Sequence, residues 1–392
     1  MHAPRFTSSS IGTPSGSTGP HLRIGIAGAG VLGRLAAWSL AQAGHRVTVF
    51  DPATGPEARQ DGLGPAGFTA AGMLSPLAEL DHASAAIAML GWRSIALWRQ
   101  VADRLAADGG APAPLLMQQR GSLLLAHAAD LGSAQRVLDR LAQAGALHEA
   151  MPRPQALTGE ALRTLEPALE PHLRAWLLPG EGQVMSPAML CTLAGQAPQV
   201  QWRWSRTVTA LAPGVIELDD GERWDADWVL DLRGLGARGP TPRTGAPAGA
   251  IDRLRGVRGE VVWLHAPGVV LNRPVRLMHP RHRVYLVPRP GDLFVLGASE
   301  IESEDRSPVS LRSAVELMAA AHSVVPALAE ARIVHLESNL RPALPDNEPH
   351  TELQPGLLRI NGLFRHGWLL APALLQDGLA QAGLGSALGE PR

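Results

Sequence analysis

Between Arg23 and Asp51 the chain reads RIGIAGAGVLGRLAAWSLAQAGHRVTVFD: an apolar run, a glycine turn, a helix-length stretch, and a second apolar run that ends on an acid. The turn Gly28-Ala29-Gly30-Val31-Leu32-Gly33 follows the pattern G-x-G-x-x-G. In a strand–helix–strand unit the first glycine makes the tight turn. The second lets a pyrophosphate reach the backbone, and the third lets helix and strand close on each other. The helix start then offers unpaired N–H groups and a partial positive charge to phosphates. Asp51 lies 18 residues beyond Gly33, where a carboxylate accepts hydrogen bonds from the ribose hydroxyls of an adenosine. A glycine pattern alone would mark only a turn; strand, helix, second strand and acid in register point to a dinucleotide on a parallel sheet.

The rest of the chain narrows the class of protein. At 392 residues it is longer than one compact domain, which predicts two lobes. A net charge of −1 argues against nucleic acid or an anionic membrane surface as the main partner. All 35 basic residues are arginine, so a lysine Schiff base or lysine general base is excluded. The single cysteine, Cys191, excludes an intrachain disulfide framework and reads as a buried, inert thiol. The 14 histidines form no HxH or HExxH pattern, so no metal site is indicated. No apolar run reaches the roughly 18 residues that span a bilayer. The first 20 residues, rich in Ser, Gly, Thr and Pro, lack the apolar core of a signal peptide and read as a disordered leader. A cytoplasmic location is the resulting expectation.

Apolar spacing predicts a helix from Ala83 to Ala107, a strand at 121–127, helices at 130–147 and 157–166, and three alternating strands between Trp202 and Asp231. Four strand candidates follow (RGEVVWLHA, VRLMHP, HRVYLVPRP and DLFVLGA), then a helix at 308–330, a strand at 332–340 and a closing strand–turn–helix. The dense small residues from Thr69 to Pro76 suggest a helix start pressed against something flat. A βαβ unit, a β block and a return to α/β predict an α/β chain, α+β overall. In it a Rossmann-like dinucleotide domain (22–92, 151–246, 336–388) interleaves with a smaller mixed-β domain (93–150, 247–335).

Four separated motifs carry a family resemblance. They are Ala70-Ala71-Gly72-Met73-Leu74, Tyr285-Leu286-Val287-Pro288-Arg289, Leu340-Arg341-Pro342 followed by Pro345-Asp346, and Phe364-Arg365-His366-Gly367-Trp368-Leu369-Leu370-Ala371-Pro372. With them the chain from residue 22 to residue 385 resembles the D-amino-acid oxidase and glycine oxidase family of FAD enzymes. Within that family it is most similar to the glycine oxidases of thiamine biosynthesis. The resemblance implies non-covalent FAD, because Cys191 is far in sequence from the C-terminal region where some relatives tether the flavin. It implies oxidation of glycine, or a similarly small amine, to the imine with dioxygen as acceptor, and a hand-off of the imine to a thiazole synthase. Sarcosine or a D-amino acid as substrate, or a dehydrogenase with a different acceptor, fits the same motifs.

The site expected on this basis has two parts. Gly28, Gly30, Val31, Leu32, Gly33, Asp51, Pro52, Ala71, Gly72, Met73, Val208 and the run Leu363, Phe364, Arg365, His366, Gly367, Trp368 and Leu369 would hold the FAD. Tyr285, Arg341 and Arg365 would bind and orient the substrate. An arginine fork suits a carboxylate bidentately, although Arg341 read alone better suits a structural ion pair with Asp346 or Glu348. Tyr285 is the only tyrosine, and in an apolar strand its hydroxyl needs a partner. Neither His282 nor His366 has a carboxylate neighbour in sequence, and no protein base is expected. Where many relatives carry a small residue and Gly before the LRP arginine, this chain has Ser338-Asn339.

Overall fold

The computed structural model describes residues 21–59, 61–145, 151–238, 251–279 and 283–389. The leader at 1–20, the linker at 239–250 and His282 lie outside the described residues.

The first strand, Arg23–Ala27, is the centre of a six-stranded sheet. The order is His350–Gln354, Leu357–Asn361, Trp228–Asp231, Arg23–Ala27, Arg46–Asp51 and Gln201–Trp204. All pairings are parallel except the outer one between His350–Gln354 and Leu357–Asn361. The helix Val31–Gln42 buries nearly its whole length, because Ala, Leu and Gly dominate it. It packs against Gly367–Gln381 and Ser186–Gly195, and Trp38, Leu35, Trp98, Leu370 and Leu375 form the core there. Truncating one such buried leucine to alanine costs about 2–5 kcal/mol.

Opposite stands an eight-stranded sheet with the order Arg332–Ala343, Arg255–His265, Leu293–Gly297, Arg283–Arg289, Val275–Met278, Ser122–Ala126, Arg174–Leu178 and Gln155–Leu157. Its second core, with Val262, Leu286, Phe294 and Leu296, is closed by Leu317 and Val324 of the helix Leu311–Val324.

Several expectations change in detail. The three strands between Trp202 and Asp231 are five, and the middle three (Val208–Ala212, Val215–Leu218, Arg223–Asp225) form a separate small sheet. The helix at 308–330 stops at Val324, because Pro326 begins a separate 3-10 turn. Thr69 to Pro76 is no helix start: a four-residue helix ends at Thr69, Met73–Leu74 is extended, and Pro76–Glu79 makes one turn. Cys191 is exposed, on the outward face of its helix. Arg174–Leu178 and Gln155–Leu157 belong to the eight-stranded sheet, although the division drawn from sequence assigns 151–246 to the dinucleotide part. Arg174–Leu178 pairs with Ser122–Ala126 and Gln155–Leu157 pairs with Arg174–Leu178, and register between distant short strands leaves no mark in sequence.

Candidate active site

One cavity of about 1100 Å³ runs between the two large sheets. Its dinucleotide end forms where the first strand meets the helix Val31–Gln42. Among the described residues no side chain caps that helix and no acid stands in its first turn, so its leading N–H groups are left for a ligand in the cavity. Gly28 has φ +99°, and a Cβ placed on Gly33 would lie 1.8 Å from the Gly28 carbonyl oxygen. That contact fixes the turn. Gly33 itself does not line the cavity; its part is to let the helix approach the strand. Asp51 at the end of the second strand accepts hydrogen bonds from Ala29 N at 2.6 Å and Ala53 N at 2.9 Å. Each oxygen keeps a further lone pair, and the residue lines the cavity with Pro52 and Val208. An uncapped helix start, a glycine cradle and a carboxylate at the strand end together fit the phosphates and ribose of a dinucleotide.

The middle of the cavity is lined by Ala70, Ala71, Gly72 and Met73 on one side and the run Leu363–Leu369 on the other. Arg289 holds the first segment from behind. Its guanidinium is buried, donates to Ala71 O and to Gln183 Oε1 (2.8 Å), and burial lowers its pKa to about 10. The second segment opens the helix Gly367–Gln381, again with no side-chain cap.

The far end gathers the charged groups. Arg341 comes from inside the strand Arg332–Ala343 rather than from its end, as the sequence suggested. Its guanidinium donates to Arg258 O (3.2 Å) and Ser299 O (3.0 Å) and, among the described residues, meets no carboxylate, neither Asp346 nor Glu348. Gly259 makes room for it: a Cβ there would come within 2.3 Å of Arg341 Nη2. Burial lowers the Arg341 pKa, with Tyr285 acting in the other direction. Tyr285 is half-buried, its hydroxyl takes no hydrogen bond from the described residues, and burial raises its pKa.

Sequence reasoning missed the group that organises this end. Glu79, buried at the end of the Pro76–Glu79 turn, accepts from Arg276 Nη2 at 2.9 Å and from Arg365 Nη2 at 2.6 Å. His366 Nε2 lies 3.0 Å from the same carboxylate. Burial opposes the Glu79 charge, but Arg276, Arg365 and His366 outweigh it and hold the carboxyl well below its usual range. Arg365 also reaches Glu300 at 3.3 Å. Glu79 follows the AAGML motif closely, yet in sequence it reads only as an acid in a helix's first turn. Arg276 is invisible until its strand pairs, when it faces Tyr285 across the ladder. Asn339, in the divergent pair before Arg341, bonds Gly64 O and Thr69 Oγ1, each at 3.1 Å. Among the described residues no group of His, Cys, Asp and Glu could hold a metal ion.

Comparison with known proteins agrees with this geometry. A family model described as FAD dependent oxidoreductase (DAO) matches residues 23–375. The chain is 36% identical over 355 residues to a protein of Rhizobium etli named as the thiamine biosynthesis oxidoreductase ThiO, covering 90% of this chain and 94% of that one. It is 29% identical over 361 residues to the glycine oxidase of Geobacillus kaustophilus, covering 89% of each. The crystal structure of that organism's glycine oxidase superposes with a TM-score of 0.75 at 26% identity, over 93% of this chain and 94% of the other.

Proposed function

We propose that this chain, which belongs to the FAD dependent oxidoreductase (D-amino-acid oxidase) family, oxidises glycine or a similarly small amine to the imine with dioxygen as acceptor, and that the imine feeds thiazole formation in thiamine biosynthesis. It is an oxidoreductase of the glycine oxidase type, with FAD as its cofactor and the two-domain FAD-binding architecture of the glycine oxidases. The observation that carries the reading is Arg341: a half-buried guanidinium at the cavity wall, bonded among the described residues only to carbonyl oxygens, beside a tyrosine hydroxyl with no partner among those residues.

FAD, when bound, supplies the acceptor for the α-hydrogen and its electron pair. Residues 28–32, Asp51, Pro52 and Val208 would hold its adenosine and phosphates, and residues 71–73 and 363–369 its ring. Arg341 and Tyr285 would grip the substrate carboxylate, a charge-assisted contact that fixes the direction of the Cα–H bond. No base on the protein is required if the amine enters neutral. His366, whose imidazole lines the cavity, is already engaged by Glu79. Arg365 stands at the helix start, where the ring would lie, with its guanidinium held by Glu79 and Glu300.

The test is anaerobic titration of the flavin spectrum with glycine, sarcosine and D-alanine. Glycine and sarcosine should bleach the flavin faster than bulky D-amino acids, and glycine should drive dioxygen uptake in air. A flavin that D-phenylalanine reduces faster than glycine does would make the chain a general D-amino-acid oxidase instead. No helix of the described residues is long and apolar enough to cross a membrane.

A further inference from the structure

We propose that Glu79 determines which carboxylates the site accepts. By engaging Arg276 and Arg365 it keeps both cations from binding a second carboxylate, and so restricts the cavity to amines with a single one. The inference rests on the assignment of the substrate carboxylate to Arg341.

At the Tyr285 end the cavity wall gathers the guanidinium groups of Arg276, Arg341 and Arg365 and the carboxylates of Glu79 and Glu300, while Arg289, which also acts on Tyr285, stays behind the wall on Ala71 O and Gln183. One positive charge remains, and geometry places it on Arg341. Arg276 is bonded to Glu79, and Arg365 to Glu79 and Glu300, while Arg341 meets only carbonyls. One substrate carboxylate neutralises the set. A second carboxylate would find no uncommitted cation on this part of the wall and would stand beside a buried anion, which costs far more than the same encounter in water. Arg276 is nonetheless within reach, because its register partner across the sheet is Tyr285 itself. The cavity therefore has the cations for a dicarboxylate, and Glu79 occupies them. A purely structural Glu79 would change folding or flavin loading but leave the preference between mono- and dicarboxylates untouched.

The probes are acetate and malonate, titrated into the FAD-loaded protein and read from the perturbed flavin spectrum. The wild type should bind malonate no more tightly than acetate. Glu79→Gln should shift the malonate-to-acetate affinity ratio by about tenfold or more toward malonate, the worth of one freed charge-assisted hydrogen bond. Glu79→Asp, which keeps the charge, should return the ratio to near the wild-type value. If Glu79→Gln does not load FAD, Glu300→Gln serves as the second variant: it leaves Glu79 in place, removes the other carboxylate that engages Arg365, and should shift the ratio toward malonate by a smaller factor. A wild type that prefers malonate tenfold, or a ratio unmoved by these variants, overturns the proposal. Arg341→Ala separates the two readings. If it binds acetate like the wild type, the carboxylate assignment itself fails. If it loses acetate while Glu79→Gln leaves the ratio unchanged, only the role of Glu79 falls.

Discussion

Arg341 is a charge taken out of water and left for a ligand to complete. Replacing it by alanine should lower kcat/KM for glycine by roughly 30- to 1,000-fold, the effect of about 2–4 kcal/mol from a lost bidentate contact, mostly through KM and with normal FAD content. Lysine should recover only part, because a point charge cannot reproduce the fork. Steady-state kinetics with flavin quantitation checks both; unchanged glycine kinetics would make this arginine structural. Gly33 gives a different single-residue prediction. Its added methyl would meet backbone, the Gly28 carbonyl at 1.8 Å, and backbone cannot rotate away. Gly33→Ala should therefore purify with little or no yellow colour, measured as the ratio of flavin to protein absorbance.

The one-turn helix Pro76–Glu79 shows how an element can be set by a residue far away in sequence. Glu181 accepts hydrogen bonds from Leu77 N at 2.8 Å and Ala78 N at 3.2 Å, and Ser122 donates to its other oxygen. Burial dominates and raises the Glu181 pKa to about 7, against the hydrogen bonds and Arg276. An acid raised in the folded state stays protonated while the unfolded chain ionises. Its contribution is intact below the unfolded value near 4.5 and is lost as pH rises toward 7, by roughly 3 kcal/mol across that window. Glu181→Gln should flatten the fall in Tm between pH 5 and pH 7; an unchanged slope would show that Glu181 is ionised in the folded protein. At this scale the sequence was readable where periodicity and turn chemistry are local. The βαβ unit, the strand holding Tyr285 and the helix opening at Gly367 all lie where their patterns predict. What it could not show is pairing. Arg276 meets Tyr285, and Glu79 meets Arg365, across 286 residues, only through strand register and sheet packing. Asn339 likewise looked like a departure from a motif until its amide was found bracing Thr69 and Gly64.

Across the whole molecule, the cavity is walled by both large sheets, so a ligand filling it ties them together. FAD should raise Tm in proportion to the logarithm of its free concentration, about 4 kcal/mol at 1,000 times Kd. Removing it should lower Tm, and adding it back should restore the original value. The attachment should be non-covalent: Cys191 is exposed, near Pro56 O at 3.9 Å, and does not line the cavity. Acid precipitation should leave the colour in the supernatant and the pellet white. Flavin kept in the pellet would contradict this, and FMN in the supernatant would remove the adenosine role of Asp51.

The strand Arg332–Ala343 has two unlike ends. Its second half carries Asn339 and Arg341 to the cavity, while its first half lies at the margin of the eight-stranded sheet with Ile333, Val334 and Leu336 exposed. An apolar margin of unsatisfied backbone groups is a template for another extended chain. In handling terms, this is where crowded or overexpressed protein should begin to aggregate. Since the sticky end and the working end are different residues of one strand, they can be edited apart. Val334→Lys should raise the concentration at which light scattering appears and leave glycine turnover as it was.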